Sequence, residues 1–192
     1  DNWKQTLNTM ITQAKRKQQF GVDLSKFSGT IPDIISVCIR SINANPQTVF
    51  ESVSSATVVE TISSVNRGVQ IEPRDITTPL AWQLIIIFLQ SLPVPILTPI
   101  TSFLITSEDK LQPLQEAIKS LPTENMLILK AVFEMLHSLF LIDTTKYSAN
   151  KLSRIIAPSL GWSKGAAISS TLFTVVEFMI VAYEQVFQVT SG

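Results

Sequence analysis

The sequence predicts an all-α protein, a helical bundle of about seven to nine helices with no sheet. Three observations carry that expectation. Apolar residues recur at helical spacing along most of the chain, strand-like alternation is scarce, and proline, glycine and Ser/Thr residues stand where helices start and stop.

The first helix is expected over roughly Trp3 to Gln18, with Trp3, Leu7, Met10 and Ile11 on one side. Gly21 and Gly29 punctuate the loop that follows. Ile31-Pro32 opens a second helix, with proline near its first turn, that carries Ile34, Ile35, Val37, Cys38, Ile39 and Ile42 and stops before Asn43-Ala44-Asn45-Pro46. Beyond a short stretch at Val49-Phe50, Ser54-Ser55 can cap a helix that reaches about Val65 and closes at Asn66-Arg67-Gly68. From about Pro79 to Ser91 the chain is apolar almost all round, the pattern of a helix at the centre of a helical domain, and Pro93 and Pro95 end it. Further helices are expected near Lys110 to Ser120, over Glu124 to Leu141 with Thr123 as N-cap, and over about Ser169 to Gln188. Between the last two, Ser148 can cap a helix over Ala149 to Ile156 that ends before Pro158.

Composition narrows the class. A chain of 192 residues fits one domain at the upper end of the usual range and buries most of its surface without staples. Residues 1–192 read as a single domain, with the abrupt ends of an excised piece of something longer. Cys38 is the only cysteine, so no internal disulfide can form; a reducing compartment, the cytoplasm, is expected, and the apolar run around Cys38 marks it as a buried core thiol. Lys plus Arg and Asp plus Glu number 15 each, which argues against nucleic acid as a partner. The basic cluster Lys15-Arg16-Lys17 is too short to bind phosphates alone; it reads as a solvated helix end, with a membrane-surface or partner contact as the sharper alternative.

A mean hydropathy of +0.29 raises the question of a membrane span. The richest stretch, Leu84 to Leu97, is broken by Gln90, Ser91, Pro93 and Pro95, and Leu172 to Phe187 carries Glu177 and Glu184. Neither approaches the ~20 uninterrupted apolar residues a span requires, so no transmembrane segment is expected. No signal peptide opens the chain.

A direct search for chemistry finds little. One cysteine and one histidine exclude a His/Cys zinc site, and no cofactor is expected. His137, between Leu136 and Leu139, reads as a satisfied, partly buried histidine. Glu108-Asp109 is an acidic pair in an expected loop with no companion base. The chain has no Gly-x-Ser-x-Gly elbow, no phosphate-cradling Gly-Lys-Ser/Thr loop and no Gly-x-Gly-x-x-Gly turn.

Several segments, taken in order, resemble the motifs of the RhoGAP domain family. Phe20-Gly21-Val22-Asp23-Leu24 is similar to the family's opening Phe-Gly-x-x-Leu, and Ile31-Pro32 to the Ile-Pro that begins its next helix. Leu92-Pro93-Val94-Pro95-Ile96 resembles its Leu-Pro-Glu-Pro-Leu turn, and Leu121-Pro122-Thr123-Glu124-Asn125 its Leu-Pro-x-x-Asn. Lys146-Tyr147-Ser148 followed by Ile156-Ala157-Pro158-Ser159-Leu160 resembles Lys-Met-Ser…Phe-Ala-Pro-x-Leu. Each fragment is weak alone; five in the right order, over nearly the whole chain, are strong.

The resemblance implies a RhoGAP-like bundle and a partner, a Rho-type small GTPase loaded with GTP. In that family an arginine reaches into the GTPase and stabilises charge on the transferring phosphoryl group. Such a finger is worth about 10³ to 10⁵ in rate, or roughly 4 to 7 kcal/mol of barrier. It lies in the segment Gly-Ile-Phe-Arg-x-x-Gly, for which this chain has Thr48-Val49-Phe50-Glu51-Ser52-Val53-Ser54. Val49 and Phe50 match the buried anchors, and Glu51 stands where the arginine is expected. A carboxylate there has the wrong sign.

The family also has a lysine and an arginine one turn apart on its central helix, which brace the finger loop and contact the GTPase. By the same resemblance Ile86 and Gln90 occupy those positions. A GTPase-contacting asparagine falls on Lys151, or on Asn150 after a one-residue shift. Of the arginines that could substitute, Arg40 is expected on the preceding helix, Arg67 at the far end of the next, and Arg74 in the following loop.

The expectation is therefore a RhoGAP-like domain in small-GTPase signalling that is catalytically impaired, not an enzyme activator, and works as a GTPase- or protein-binding module. Two other readings stand beside it. One is a working activator of a Rho-family GTPase with a non-standard finger; the other is a structural platform within a larger protein.

Overall fold

The computed structural model describes residues 2–97, 111–161 and 170–188. Among these residues there are nine α-helices and no strand. The chain divides into two compact units, Asp1–Asp23 with Pro32–Pro93, and Leu24–Ile31 with Val94–Gly192.

The first unit contains α1 (Asn2–Lys17), α2 (Asp33–Ala44), α3 (Ser55–Asn66) and α4 (Thr78–Ser91), with single 3-10 turns at Pro46–Thr48 and Pro73–Asp75. Pro79 lies in the first turn of α4, where its missing N–H costs nothing, and Leu92 leaves the helix in an extended conformation just before Pro93. Between those limits Leu84, Ile85, Phe88 and Leu89 are fully buried. The apolar side of α2, carrying Ile34, Ile35, Cys38 and Ile42, packs on α4, and α3 adds Val58 and Val65. Polar groups at this seam are paired: Ser41 Oγ donates to the Ile76 carbonyl at 2.9 Å, and Thr78 Oγ1 donates to the Ser41 carbonyl at 3.4 Å.

The expected start and stop signals of α3 are both used. Ser54 Oγ accepts the Thr57 N–H at 3.1 Å, and Gly68, at φ +86°, takes the left-handed conformation that follows the helix end. Asn66, in the last turn, accepts the backbone N–H groups of Gln19 and Phe20, each at 3.0 Å. Phe20 then meets Phe88 edge-on at 5.6 Å. The α2 helix runs through Asn43 and Ala44, two residues beyond its expected end, closing with the Asn45 N–H on the Ser41 carbonyl. The expected apolar side of α1 differs from the others. Trp3, Leu7, Met10 and Ile11 are all exposed.

The second unit contains a 3-10 turn (Leu24–Phe27), α5 (Leu111–Lys119), α6 (Thr123–Ile142), α7 (Ala149–Leu160), α8 (Ser170–Val181) and α9 (Tyr183–Val186). The α7 and α8 helices pack together, and α6 lies against α8 and α9. Their core includes Leu129, Phe133, Leu136, Leu152, Ile156, Val176 and Met179. By length and composition α6 alone among the described residues could cross a membrane. Seven of its apolar side chains, from Ile128 to Leu139, are buried within the unit, and Lys130, Glu134 and His137 interrupt it, as in a core helix.

Three expectations for this unit are corrected. Thr123 is the first helical residue of α6 and does not cap it; Pro122 holds the cap position, with no side-chain bond. Pro158 lies inside α7, which continues to Leu160. The buried Leu160 holds it there, the Gly161 N–H reaches the Ala157 carbonyl at 3.1 Å, and the Leu97 N–H reaches the Leu160 carbonyl at 2.8 Å. The last helix is two. Ala182 leaves helical geometry (φ −98°, ψ 28°), and Tyr183 beyond it is buried with its ring stacked on His137 at 5.5 Å. The starts expected at Lys110 and Ser169 and the pair Glu108-Asp109 lie outside the described residues.

Burial pushes the Cys38 thiol from 9.0 up to about 12. The folded state thus keeps the proton that the unfolded chain loses from pH 9 upward. Its contribution to stability is complete below pH 9 and is lost as the pH rises towards 12. Thiol-reagent titration should find Cys38 unreactive at pH 8 until denaturant is added. Fast labelling without denaturant would contradict the buried placement.

Candidate functional site

Glu51 owes its position to the residues before it. Pro46 starts the 3-10 turn, the Val49 N–H returns to the Pro46 carbonyl at 3.4 Å, and the Glu51 N–H returns to the Thr48 carbonyl at 3.0 Å. Val49 is buried, and half-buried Phe50 stands edge-on to Trp82 of α4 at 5.8 Å and 83°. These two apolar anchors fix the turn, and Ser54 fixes the chain again as the cap of α3. Glu51 lies between the two fixed points and is exposed.

Trp82, Ile86 and Gln90 are spaced four apart on α4 and so share one face. The Phe50 contact therefore places the turn on the same face that carries Ile86, half-buried, and Gln90, exposed. None of these three positions, Glu51, Ile86 or Gln90, carries positive charge. Arg40 is exposed and its Nε donates to the Ser36 carbonyl of its own helix at 3.4 Å. Arg67 follows the end of α3 and donates to Ser64 Oγ at 3.1 Å, and Arg74 is exposed in the turn Pro73–Asp75.

Asn150 and Lys151 belong to the second unit, in the first turn of α7. The Lys151 backbone N–H donates to the capping Ser148 Oγ at 3.3 Å, and its Nζ donates to the Lys146 carbonyl at 3.3 Å. Both ends of the Asn150 amide are engaged. Its Nδ2 donates to Glu177 Oε2 of α8 at 3.2 Å, and its Oδ1 accepts from Arg154 Nε at 3.0 Å. The four-residue spacing of Asn150 and Arg154 could have signalled half of this network. Glu177, 27 residues away, gave no local signal.

His137 is a satisfied, half-buried histidine: Nδ1 is 2.7 Å from the Ile180 carbonyl, and the ring stacks on Tyr183 at 5.5 Å and lies 6.4 Å from Phe140. Burial, and secondarily the negative charge of Glu134, push the Tyr183 hydroxyl up to about 12. Among the described residues no three His, Cys, Asp or Glu side chains are grouped to hold a metal ion.

With this geometry in view, comparison with known proteins gives a consistent answer. The family model of the RhoGAP domain matches residues 32–165, a span that includes Glu51, Ile86, Gln90, Asn150 and Lys151. The chain belongs to the RhoGAP domain family. Among solved structures it is similar to human Rho GTPase activating protein 15, with a TM-score of 0.78 and 18% identity over 90% of this chain and 93% of that one. It is also similar to the BH domain from GRAF, the GTPase regulator associated with focal adhesion kinase, with a TM-score of 0.66 and 18% identity over 83% of this chain and 96% of that one. At such identity these likenesses speak to the fold. No curated protein sequence matches the chain.

Two substitutions in this turn should differ in cost. Phe50→Ala should cost about 1 to 3 kcal/mol, because it strips the contact with Trp82. Glu51→Arg, at an exposed position, should stay within about 0.5 kcal/mol of the parent. Denaturant midpoints of the two variants check this, and a large loss from Glu51→Arg would show that Glu51 is structural.

Proposed function

We propose that the chain is a single RhoGAP-like domain that binds a Rho-type small GTPase, or another protein, without accelerating GTP hydrolysis. The observation that supports this reading most is the Glu51 turn. Two apolar anchors hold it as a finger loop must be held, yet the exposed side chain that follows them is a carboxylate. Catalysis by a finger requires a cation beside oxygens that gain negative charge in the transition state. A carboxylate in the same place would raise the barrier.

The α4 face supports the same reading. Ile86 and Gln90 offer no charge-assisted bond to a finger loop or to a GTPase, where a lysine and an arginine would each contribute roughly 1.5 to 3 kcal/mol. A surface of that kind favours a more neutral partner patch than an active domain needs. Asn150, tied to Glu177 and Arg154, must exchange those bonds before it can serve a partner.

A GTP hydrolysis assay tests the proposal. Adding the chain to a GTP-loaded Rho-type GTPase should leave turnover near the intrinsic rate; acceleration above about tenfold, ~1.4 kcal/mol of barrier, would contradict it. Glu51→Arg alone should restore little. The triple variant Glu51→Arg, Ile86→Lys, Gln90→Arg should do better, since a lysine at half-buried position 86 can extend its ammonium to solvent. Full activity from Glu51→Arg alone would show that the rest of the site is intact. A pull-down with GTP-loaded GTPases separates a binding module from a platform that engages no GTPase.

A further inference from the structure

The α1 helix presents an apolar face that the fold leaves open. Trp3, Leu7, Met10 and Ile11 fall at the spacing of a single helical stripe and are 65, 47, 62 and 43% exposed. They are four of the ten large apolar side chains exposed among the described residues. Elsewhere such side chains occur singly or as the pair Leu141-Ile142, which is ordinary for a protein surface. The α1 helix is attached at its C-terminal end, where it packs on α3 and where Asn66 holds the N–H groups of Gln19 and Phe20. That attachment does not cover the stripe.

Charge indicates what does. The α1 sequence holds Lys4, Lys15, Arg16 and Lys17, four of the chain's 15 basic residues, and none of its 15 acidic ones. The remaining polar residues of the helix are Asn, Gln and Thr. The chain as a whole is neutral, so this helix carries a net positive charge and the rest of the chain, with 11 basic and 15 acidic residues, a matching negative excess. Lys4 Nζ lies 5.8 Å from the Trp3 ring, an aromatic body beside a cation. A helix of about 24 Å with an apolar stripe, only cationic charges and a tryptophan is built to lie in the interfacial plane of a bilayer. Its lysines and arginine favour an anionic headgroup layer, which the rest of the chain would avoid.

We infer that α1 docks the protein on an anionic lipid surface, its apolar stripe entering the headgroup boundary. This does not depend on the reading of the Glu51 turn.

Co-sedimentation of the chain with phosphatidylcholine vesicles, with and without phosphatidylserine, tests it. Binding should require phosphatidylserine, weaken with added salt, and shift Trp3 emission to the blue, a shift that Trp3→Phe removes. The double variant Leu7→Gln, Met10→Gln should weaken binding more than about tenfold with an unchanged circular dichroism spectrum, since both positions are exposed. Replacing Lys4, Lys15, Arg16 and Lys17 by glutamine should remove the phosphatidylserine dependence. The inference is overturned if the chain ignores phosphatidylserine vesicles, or if the double variant binds as well as the parent. It is equally overturned if the stripe proves to mediate self-association or capture of a GTPase without any vesicle binding.

Discussion

The first unit depends on one constraint: α4 cannot meet water along most of its length. Leu84, Ile85, Phe88 and Leu89 are fully buried, and Leu80 and Trp82, two residues apart and so on nearly opposite sides of the helix, are buried as well, so no single packing face can satisfy them. Helices α2 and α3 both lie against α4. Each such side chain is worth roughly 1.5 to 3 kcal/mol in transfer from water. The entropy of ordering the chain offsets most of that total, and what survives is position. Phe20 is seated by Phe88, and the turn that ends in Glu51 is seated by Trp82.

That dependence explains why much of the fold was legible in the sequence. An unbroken apolar helix identifies itself as central whatever surrounds it, and the Ser54 cap and Gly68 stop act over a few residues. Val49 and Phe50 were expected as anchors from the RhoGAP resemblance, and the structure buries the first and half-buries the second. Where several signals compete, the sequence misled. Proline usually ends a helix, but beyond Pro158 the buried Leu160 side chain and the Leu97 N–H on its carbonyl carry α7 onward. Thr123 has the chemistry of a cap, yet the chain enters the helix one residue earlier, at Pro122. The periodicity through Ala182 continues without a mark, and only the stacking of Tyr183 on His137 shows why the helix divides there.

The candidate site was legible unevenly for the same reason. Glu51, Ile86 and Gln90 were assigned through the resemblance to RhoGAP motifs, by way of Val49-Phe50 and the turn at Leu92-Pro93. The engagement of Asn150 was not legible, because its partner Glu177 comes from another helix. The α1 stripe shows the opposite limit: its periodicity was plain, but periodicity alone cannot distinguish a side that packs inward from one that stays exposed. Taken together, the apolar residues that hold a RhoGAP scaffold are present in this chain, whereas Glu51, Ile86 and Gln90 bring no positive charge to the face they occupy. Scaffold and chemistry are separable because packing depends on shape and burial, while phosphoryl-transfer catalysis depends on the sign of a charge at one place.

On the proposed reading, the turn at Glu51 recognises no transition-state charge. The most direct measurement compares the affinity of the chain for one Rho-type GTPase in its GTP-loaded form and in its GDP–aluminium fluoride form, which mimics the transferring phosphoryl group. A domain with a working finger binds the mimic more tightly, because the extra interaction exists only there. For this chain the account predicts equal affinities, or weaker binding to the mimic as the Glu51 carboxylate meets added negative charge. A clear preference for the aluminium fluoride form would contradict it and would show that a cation from elsewhere in the chain reaches the phosphates.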